Sequence, residues 1–287
     1  MVTLRPYQQA AVQAVYDYFA TQAGNPLLVL PTGAGKSLTL AAFIKGAIER
    51  YPSTRIIVLT HVKELIVQDR NAIKRYWPEA PIGIWSAGVG EKVQNQITVA
   101  GIQSIHKLPA TFANTDLIIV DEAHLVSNKN DNTMYNKFIA GVKAYSPHLK
   151  VIGLTATPYR MDSGLLTEGE NRIFTDVAYE AEVGDLINDG FLCPLVAKNG
   201  VTKADLSEVH TRGGEFVESE LQEAMDKDYL INGALDEIAQ YAHDRDHVLG
   251  FCSGIDHARH CAEFAQARGW AADYVSGEMA ATERDEK

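Results

Sequence analysis

The chain has 287 residues, of which 46% are hydrophobic and 22% charged, and these proportions exclude a disordered or fibrous protein. No apolar run is long enough to span a membrane and no export signal is recognisable, so the sequence predicts a cytoplasmic protein with no membrane partner. The net charge of -11 argues against a protein that holds nucleic acid through its overall charge, so any such contact must be local.

Alternating helices and strands are predicted along the first half of the chain. Helices are predicted at residues 10–19, 37–50 and 62–76. Short runs rich in β-branched residues predict strands at residues 27–30, 56–60, 82–85, 97–100, 117–120 and 151–154. This alternation is typical of a parallel sheet covered by helices, and it predicts an α/β doubly wound fold.

The second half of the chain is predicted to hold another, shorter α/β unit. Residues 161–171 collect Gly, Asp, Glu and Ser and predict a mobile loop, after which a short helix ends at Gly190. The segment 202–228 is polar and acidic and contains the pair Gly213 and Gly214. Beyond it, the pattern predicts helices at 230–243 and 256–268 and strands at 248–252 and 272–275.

We therefore expect a first domain at residues 1–180 and a second domain at residues 181–287. Two strands are too few for a stable parallel sheet, and the chain ends in the charged segment ATERDEK, so the second domain is predicted to be incomplete. The three cysteines, Cys193, Cys252 and Cys261, include no closely spaced pair. They are predicted to be reduced structural thiols rather than zinc ligands or disulfides.

The stretch LLVLPTGAGKSLTL, at residues 27–40, joins a predicted strand to a predicted helix through a glycine-rich turn. Such a turn gathers backbone N–H groups and a helix N-terminus around one point, which predicts an anion site. Lys36 is then expected to bind the outer phosphates of a nucleotide, and Ser37 to give its hydroxyl to Mg²⁺. Leu30 stands where the full G-x-x-x-x-G-K-[ST] motif has its first glycine. The other candidates for nucleotide contacts in this turn are Thr32, Gly33, Ala34 and Gly35.

A second motif, LIIVDEAH at residues 117–124, is an apolar strand that ends in two adjacent carboxylates. The carboxyl ends of parallel strands are where α/β sheets present ligand-binding groups. Asp121 is predicted to hold the Mg²⁺ of a bound nucleotide, and Glu122 to position or activate the water that attacks the γ-phosphate. In the alternative, both residues only cap a helix that begins at Ala123. The phosphate motif earlier in the chain makes this alternative less favoured.

Together with further short motifs, the sequence resembles the superfamily 2 helicases and related double-stranded-DNA motors. LPTGAGKS, DEAH and GLTATPYR resemble their motifs I, II and III, and LRPYQ, VLTHVKEL and TVAGIQSI resemble the adenine-recognition element and motifs Ia and Ib. VLGFCSGIDHA and VSGEM resemble motif IV and the element after it. The combined pattern is most similar to the RadD-like branch, with the helicase subunits of restriction enzymes as relatives.

The resemblance implies a RecA-like P-loop NTPase domain followed by a partial second RecA-like domain, with ATP and Mg²⁺ as ligands. It implies that Gln8 reads the adenine edge, which suits its bidentate amide, and that Arg5 and Tyr7 lie nearby. Tyr7 is also compatible with a core position.

The resemblance also implies residues that connect the nucleotide to a nucleic acid. Thr155 and Thr157 are implied to couple the two sites, with His124 bridging toward them, although the threonines also fit an ordinary strand end. Contacts to the nucleic-acid backbone are implied for Thr60, His61, Gln103, Ser104 and Ser253.

No match to the family's motifs V and VI precedes the end of the chain, and motif VI supplies an arginine finger in that family. A finger contributes roughly 10³–10⁵ in turnover, so we expect this chain, as a fragment of a longer motor, to bind nucleotide and hydrolyse it poorly. Two functions stay open: an ATP-dependent helicase or translocase on DNA rather than RNA, in repair or recombination, or an idle nucleotide-binding module that acts through protein partners. A P-loop kinase or GTPase is a third, in which motifs III and IV have no role.

Overall fold

The computed structural model describes residues 3–160, 164–198, 200–212, 215–279 and 283–284. The chain divides into two compact units, Met1–Pro194 and Leu195–Lys287, which we call the first and the second unit. Three of the features predicted above lie wholly or partly outside the described residues: the start of the loop at 161–171, the pair Gly213 and Gly214, and most of the segment ATERDEK.

An eight-stranded sheet forms the centre of the first unit. The strands of this unit are β1 (Pro26–Val29), β2 (Ile56–Thr60), β3 (Ile82–Ser86), β4 (Glu91–Lys92), β5 (Ile97–Gly101), β6 (Leu117–Asp121), β7 (Lys150–Thr155), β8 (Tyr159–Arg160), β9 (Gly164–Leu165) and β10 (Asp176–Glu180). Across the sheet the order is β10-β1-β7-β6-β2-β5-β3-β4, while β8 and β9 pair with each other. The sheet pairings are parallel apart from the antiparallel β3–β4 edge. The six strands predicted for this half of the chain are confirmed, as is the α/β class.

Helices cover this sheet. They are α1 (Pro6–Thr21), α2 (Lys36–Arg50), α3 (Lys63–Tyr76), α4 (Ile102–Ile105), α5 (Met134–Tyr145) and α6 (Val183–Asn188), with 3-10 turns at Pro109–Phe112 and Ala123–Leu125. The three predicted helices form, and α1 begins earlier than predicted because Pro6 suits the first helical position. Helix α5 was not predicted, and its N-cap is Thr133, whose hydroxyl accepts from the Asn136 N–H.

Apolar side chains bury both faces of the sheet. Along β6, Ile119 belongs to the core formed with α2 and α3, whereas Ile118 and Val120 belong to the core that contains Phe112 and Phe138. Successive side chains of a strand point to opposite faces. A strand buried on both faces therefore reads as a continuous apolar run, which is why LIIV was recognisable in the sequence.

The first unit extends to Pro194 rather than ending at residue 180. Strand β10 pairs in parallel with β1 and so brings the chain back beside the first helix. Ala181 and Leu186 then pack in one cluster with Tyr7, Leu30 and Ala34. The boundary predicted at 180/181 therefore separates residues that are buried against one another. The first unit includes α6 and the segment that follows it, up to Pro194.

The second unit contains α7 (Glu218–Met225), α8 (Asp228–Tyr241), α9 (Ile255–Ala267) and a short hairpin of β11 (Thr211–Arg212) and β12 (Glu215–Phe216). The two predicted helices form as α8 and α9. The strands predicted at 248–252 and 272–275 are not formed: within the described residues these segments have no strand pairing, and Phe251 is 93% exposed. A parallel strand needs neighbouring strands to pair with, and the described part of this unit supplies none.

Across the described residues of both units, no helix has the length and apolar character needed to cross a lipid bilayer.

Phe138→Ala is expected to destabilise the first unit by about 3–5 kcal/mol, because Phe138 is fully buried and its ring packs edge-on against Phe112. Tyr145→Ala, on the same helix, is the control, since Tyr145 is 57% exposed. The measurement is the urea midpoint of unfolding followed by tryptophan fluorescence, because Trp85 packs against Phe112. Equal shifts for the two variants would contradict this assignment of the core.

Candidate functional site

The carboxyl ends of β1, β7 and β6 lie side by side at one edge of the sheet. In the register of the strands, Val29 is level with Thr155, and Leu154 is level with Asp121. The segments that leave these three strands therefore start close together, in the place where α/β sheets bind ligands. The candidates that come from these segments are Lys36, Ser37, Asp121, Glu122, His124, Thr155 and Thr157.

The turn between β1 and α2 has the backbone shape of an anion site. Gly33 and Gly35 have φ angles of +83° and +78°, and Gly35 is the N-cap of α2. A Cβ on Gly35 would lie 2.6 Å from Nε2 of Gln8, so both the conformation and the space at this position require glycine. The first N–H groups of a helix have no acceptor within the helix, and here they face the exposed turn.

Gln8 fixes this turn to the start of α1. Its Nε2 donates to the Ala34 carbonyl at 2.9 Å, and its Oε1 accepts from the Arg5 N–H at 2.9 Å. The Tyr7 hydroxyl donates to the same Ala34 carbonyl at 2.8 Å, so this tyrosine is a core residue that also contacts the turn. The Arg5 guanidinium lies over the Phe191 ring. The amide of Gln8 is only 2% exposed, and its role in adenine recognition stays a prediction.

Lys36 meets the two carboxylates that follow β6. Its Nζ lies 3.5 Å from Oε1 of Glu122, and both side chains are mostly buried. Burial raises the pKa of Asp121 to about 6, and the charge of Glu122 adds to this rise while Lys36 opposes it. The sequence motifs around Lys36 and around Asp121 therefore form a single cluster.

Glu122 is held in a strained backbone conformation. Its φ of +53° is the one positive φ of a non-glycine residue among the described residues. This left-handed conformation costs a residue with a side chain about 1–3 kcal/mol and is found preferentially at functional sites. The turn directs its carboxylate toward Lys36, at 3.5 Å, and toward Nδ1 of His124, at 3.3 Å.

Asp69 of α3 is a third carboxylate at this site, and it was not predicted. It is 1% exposed, and neither of its oxygens has a hydrogen-bond partner of ordinary geometry among the described residues. Burial raises the pKa of Asp69 to about 8, Asp121 adds to the rise, and the nearby Ser37 hydroxyl lowers it. A signal was present in the sequence, because Asp69 interrupts the apolar face that Ile66 and Ile73 form on this helix.

A hydrogen-bonded chain joins Glu122 to the end of β7. Thr155 donates its hydroxyl proton to the Thr157 carbonyl at 2.9 Å and accepts from the Thr157 N–H at 3.1 Å. Its oxygen lies 3.1 Å from Nδ1 of His124, which must then be the donor. Burial lowers the pKa of His124, so the ring is neutral at pH 7. Arg160 donates to the His124 carbonyl at 3.0 Å. The predicted coupling residues are thus in contact with one another.

The nucleic-acid candidates of the first unit lie along the ends of the paired strands β2 and β5. Gln103 is exposed, and its Nε2 donates to the His61 carbonyl at 2.9 Å. The Ser104 hydroxyl accepts from the Ala87 N–H at 2.9 Å. Thr60 is fully buried, so its side chain offers no surface to a nucleic acid. Backbone contacts by the other three residues stay a prediction.

Ser253 belongs to the second unit, where its hydroxyl lies 2.9 Å from Nδ1 of the buried His257. Its hydrogen-bonding capacity is therefore used locally.

One motif that the sequence analysis missed, NKND at residues 128–131, matches the N-K-x-D pattern with which GTPases recognise guanine. Asn128 is buried, and its Nδ2 donates to the carbonyls of Leu165 and Glu168. This amide thus holds neighbouring backbone, so the match gives no support to a GTPase.

The charges of the site fit a divalent cation. The charges of Asp121 and Glu122 raise the pKa of Asp69, that of Glu122 also raises the pKa of Asp121, and Lys36 opposes the rise in pKa of both aspartates. Buried carboxylates that lack sufficient positive charge are costly, and hard cations such as Mg²⁺ prefer oxygen ligands. Asp121 and the Ser37 hydroxyl are the groups that the two motifs supply for such an ion.

The sheet, the glycine turn with Lys36 and the carboxylates after β6 define a RecA-like P-loop nucleotide-binding protein of the superfamily 2 helicase class. The chain belongs to the family described as type III restriction enzyme, res subunit, which matches residues 1–160.

Two curated relatives match over nearly the whole chain. A protein of Schizosaccharomyces pombe named as a mitochondrial ATP-dependent helicase, irc3, is 27% identical over 98% of this chain and 46% of its own length. A Saccharomyces cerevisiae protein named as the ATP-dependent helicase IRC3 is 25% identical over 98% of this chain and 42% of its own length. The chain thus spans less than half the length of these relatives.

Among solved structures, the type ISP restriction-modification enzyme LlaGI, in a nuclease-deletion form with a DNA substrate mimic, has a TM-score of 0.50. Its sequence is 15% identical, and the match covers 92% of this chain and 26% of that one. A likeness at this level of identity supports the RecA-like fold.

Asp69→Asn is expected to stabilise the protein at pH 7 by about 1–3 kcal/mol, because it removes the cost of keeping a buried carboxyl protonated at a pH where the unfolded chain ionises it. The folded state retains the Asp69 proton up to a pKa of about 8, whereas the unfolded chain loses it near the ordinary Asp pKa of about 3.9. Wild-type stability should therefore fall as pH rises between these two values, and the variant should fall less.

The measurement is the urea midpoint of both proteins at about pH 5 and about pH 8, across the range in which Asp69 contributes. Glu79→Gln, in an exposed turn, is the control and should keep the wild-type slope. An Asp69→Asn variant with the same pH slope as the wild type would show that Asp69 is ionised in the folded state.

Proposed function

We propose that the chain is the ATP-binding part of a motor that moves along nucleic acid, DNA rather than RNA, and that it binds and hydrolyses ATP with Mg²⁺. The observation that carries this proposal is the 3.5 Å approach of Lys36 to Glu122, beside the glycine turn and the buried Asp121. It supports the proposal because it brings the lysine proposed to bind phosphate beside the carboxylate proposed to act in hydrolysis.

In this proposal the phosphates of ATP bind to the backbone N–H groups at the start of α2 and to Lys36. Ser37 and Asp121 would hold Mg²⁺, which would supply positive charge to the phosphates. Glu122 orients a water molecule for in-line attack on the γ-phosphate and accepts its proton. The N–H group of Gly33 belongs to the same turn, whose shape the left-handed glycines maintain.

In this proposal, the chain of contacts from Glu122 to Thr157 couples nucleotide binding to the binding of a nucleic acid. Nδ1 of His124 donates its proton to Thr155 and lies 3.3 Å from Oε2 of Glu122, so a change in the position of the Glu122 carboxylate would alter the hydrogen bonding at the end of β7. The neutral ring of His124 supports this role, because a neutral donor responds to the carboxylate without forming a fixed ion pair.

DNA is the proposed nucleic acid on the basis of the family match and one solved structure. The family is that of a restriction enzyme subunit, and LlaGI was solved with a DNA substrate mimic. With a net charge of -11, the chain is expected to contact the phosphate backbone through local groups such as Gln103 and Ser104. Such binding should weaken with rising salt, in proportion to the few phosphates contacted.

A second candidate function is an idle nucleotide-binding module that acts through protein partners. The observation in its favour is that the predicted strands of the second unit are unpaired in the described residues. ATP sites of this class are composite, and an incomplete second unit would leave ATP bound without turnover. A measurement of ATP turnover distinguishes the motor from the idle module.

Lys36→Ala is expected to weaken ATP binding roughly 10–100-fold, the loss of a charge-assisted contact to phosphate. Lys45→Ala, on the same helix and paired with Glu49 at the surface, is the control and should bind like the wild type. Binding is measured by calorimetry with Mg²⁺ and ATP. Unchanged affinity in Lys36→Ala would rule out the phosphate site.

Glu122→Gln is expected to keep the affinity for ATP and to lower its turnover by about 10²–10⁴, the usual contribution of a general base. Turnover is followed as phosphate release, with no nucleic acid, with single-stranded DNA and with forked DNA. DNA-stimulated turnover above the Glu122→Gln blank supports the motor. No turnover above the blank, together with ATP binding that needs Lys36, supports the idle module.

Thr155→Val is expected to keep ATP affinity and to lose most of the DNA stimulation, because the hydroxyl that links His124 to Thr157 is removed at nearly constant volume. Thr111→Val, at an exposed position, is the control. The readout is the ratio of turnover with DNA to turnover without it. If this ratio is unchanged, the chain of contacts does not couple the two sites.

A further inference from the structure

Three metal-ligating side chains converge in the second unit. Cys252 precedes α9, His257 lies in its first turn, and Cys261 follows one turn later on the same face. One potential ligand atom from each residue lies within 4.8 Å of the other two. The site is hard to recognise in the sequence, because the two cysteines are separated by a turn and nearly two turns of helix.

We propose that Cys252, His257 and Cys261 bind a thiophilic divalent cation, with Zn²⁺ as the preferred ion. Two thiolates and an imidazole are ligands that Zn²⁺ takes readily, whereas Mg²⁺ and Ca²⁺ require oxygen ligands. Tetrahedral bonds of about 2.0–2.3 Å put the ligand atoms roughly 3.5–3.8 Å apart, so small side-chain rotations close the observed triangle around an ion.

The surroundings suit a bound metal. His257 is 8% exposed, so its ring is held in place by the side chains around it. The Ser253 hydroxyl, 2.9 Å from Nδ1, orients that ring in the way that outer-sphere partners orient metal-bound histidines.

A bound ion would take both thiols as thiolates, because a coordinating thiol loses its proton. Asp226 contributes negative charge nearby, but its carboxylate is engaged by His260 at 3.0 Å. The protein therefore offers three ligands, and a water completes the coordination.

A metal here would stabilise a unit that has little core of its own. The buried apolar cluster between α8 and α9 consists of Ile231, Leu235 and Ala265, with partly buried neighbours that include Cys261. Small cores commonly depend on a metal or a disulfide. The ion would join the segment before α9 to the helix itself, and thereby hold the unpaired chain at 248–251 beside it.

The test uses the whole chain, reduced and freed of metal, and titrates it with Co²⁺ as a spectroscopic probe of the Zn²⁺ site. The wild type is expected to bind one Co²⁺ with the visible bands of tetrahedral coordination and the near-ultraviolet band of thiolate ligation, and Zn²⁺ should abolish both. Cys252→Ser and Cys261→Ser should lose the thiolate band. Cys193→Ser, whose thiol is exposed and lies in the first unit, should retain it.

Absence of the thiolate band in the wild type would overturn the proposal, as would its retention in Cys252→Ser. Cys252 lies outside any helix, so this variant does not depend on the packing of α9, and its far-ultraviolet circular dichroism should match that of the wild type. Equal loss of the band in Cys193→Ser would also overturn the proposal, since the ligand would then be a different thiol.

Discussion

The parallel register of β1, β7 and β6 is the constraint on which the site depends. Val29 is level with Thr155, and Asp121 is level with Leu154, so three separate segments of the chain leave the sheet at the same height. A shift of one residue in either pairing would turn every side chain of a strand to the opposite face. Both faces of these strands are buried in apolar cores, and that burial is what fixes the register.

Charge is the second constraint, and it acts within the space that the register defines. Three carboxyl groups and one lysine meet where little water can screen them, so ionising all three carboxyl groups is unfavourable before any cation binds. Buried groups of one charge sign lower the stability of a folded protein. The charges of the site therefore favour a divalent cation.

Local patterns were sufficient to predict the six central strands of the first unit, because these strands are apolar runs, and its glycine turn, because the spacing of that turn is distinctive. Features that depend on distant contacts were not predictable in the same way. Asp69 became part of the site only once α3 packed against α2 and the sheet, and the continuation of the first unit past residue 180 required β10 to pair with β1. The unpaired segments at 248–252 and 272–275 have strand-like sequences, but composition alone does not supply a neighbouring strand.

At position 122 the left-handed backbone favours one residue type, whereas the proposed chemistry of the site requires another. Glycine would adopt a φ of +53° without strain, yet it has no carboxylate to reach Lys36 and His124. Substitution by glycine would therefore remove this strain wherever activity is not required. Glutamate at this position is accordingly a marker that can be followed through related sequences: lineages released from the need for hydrolysis should drift toward residues that relax the turn.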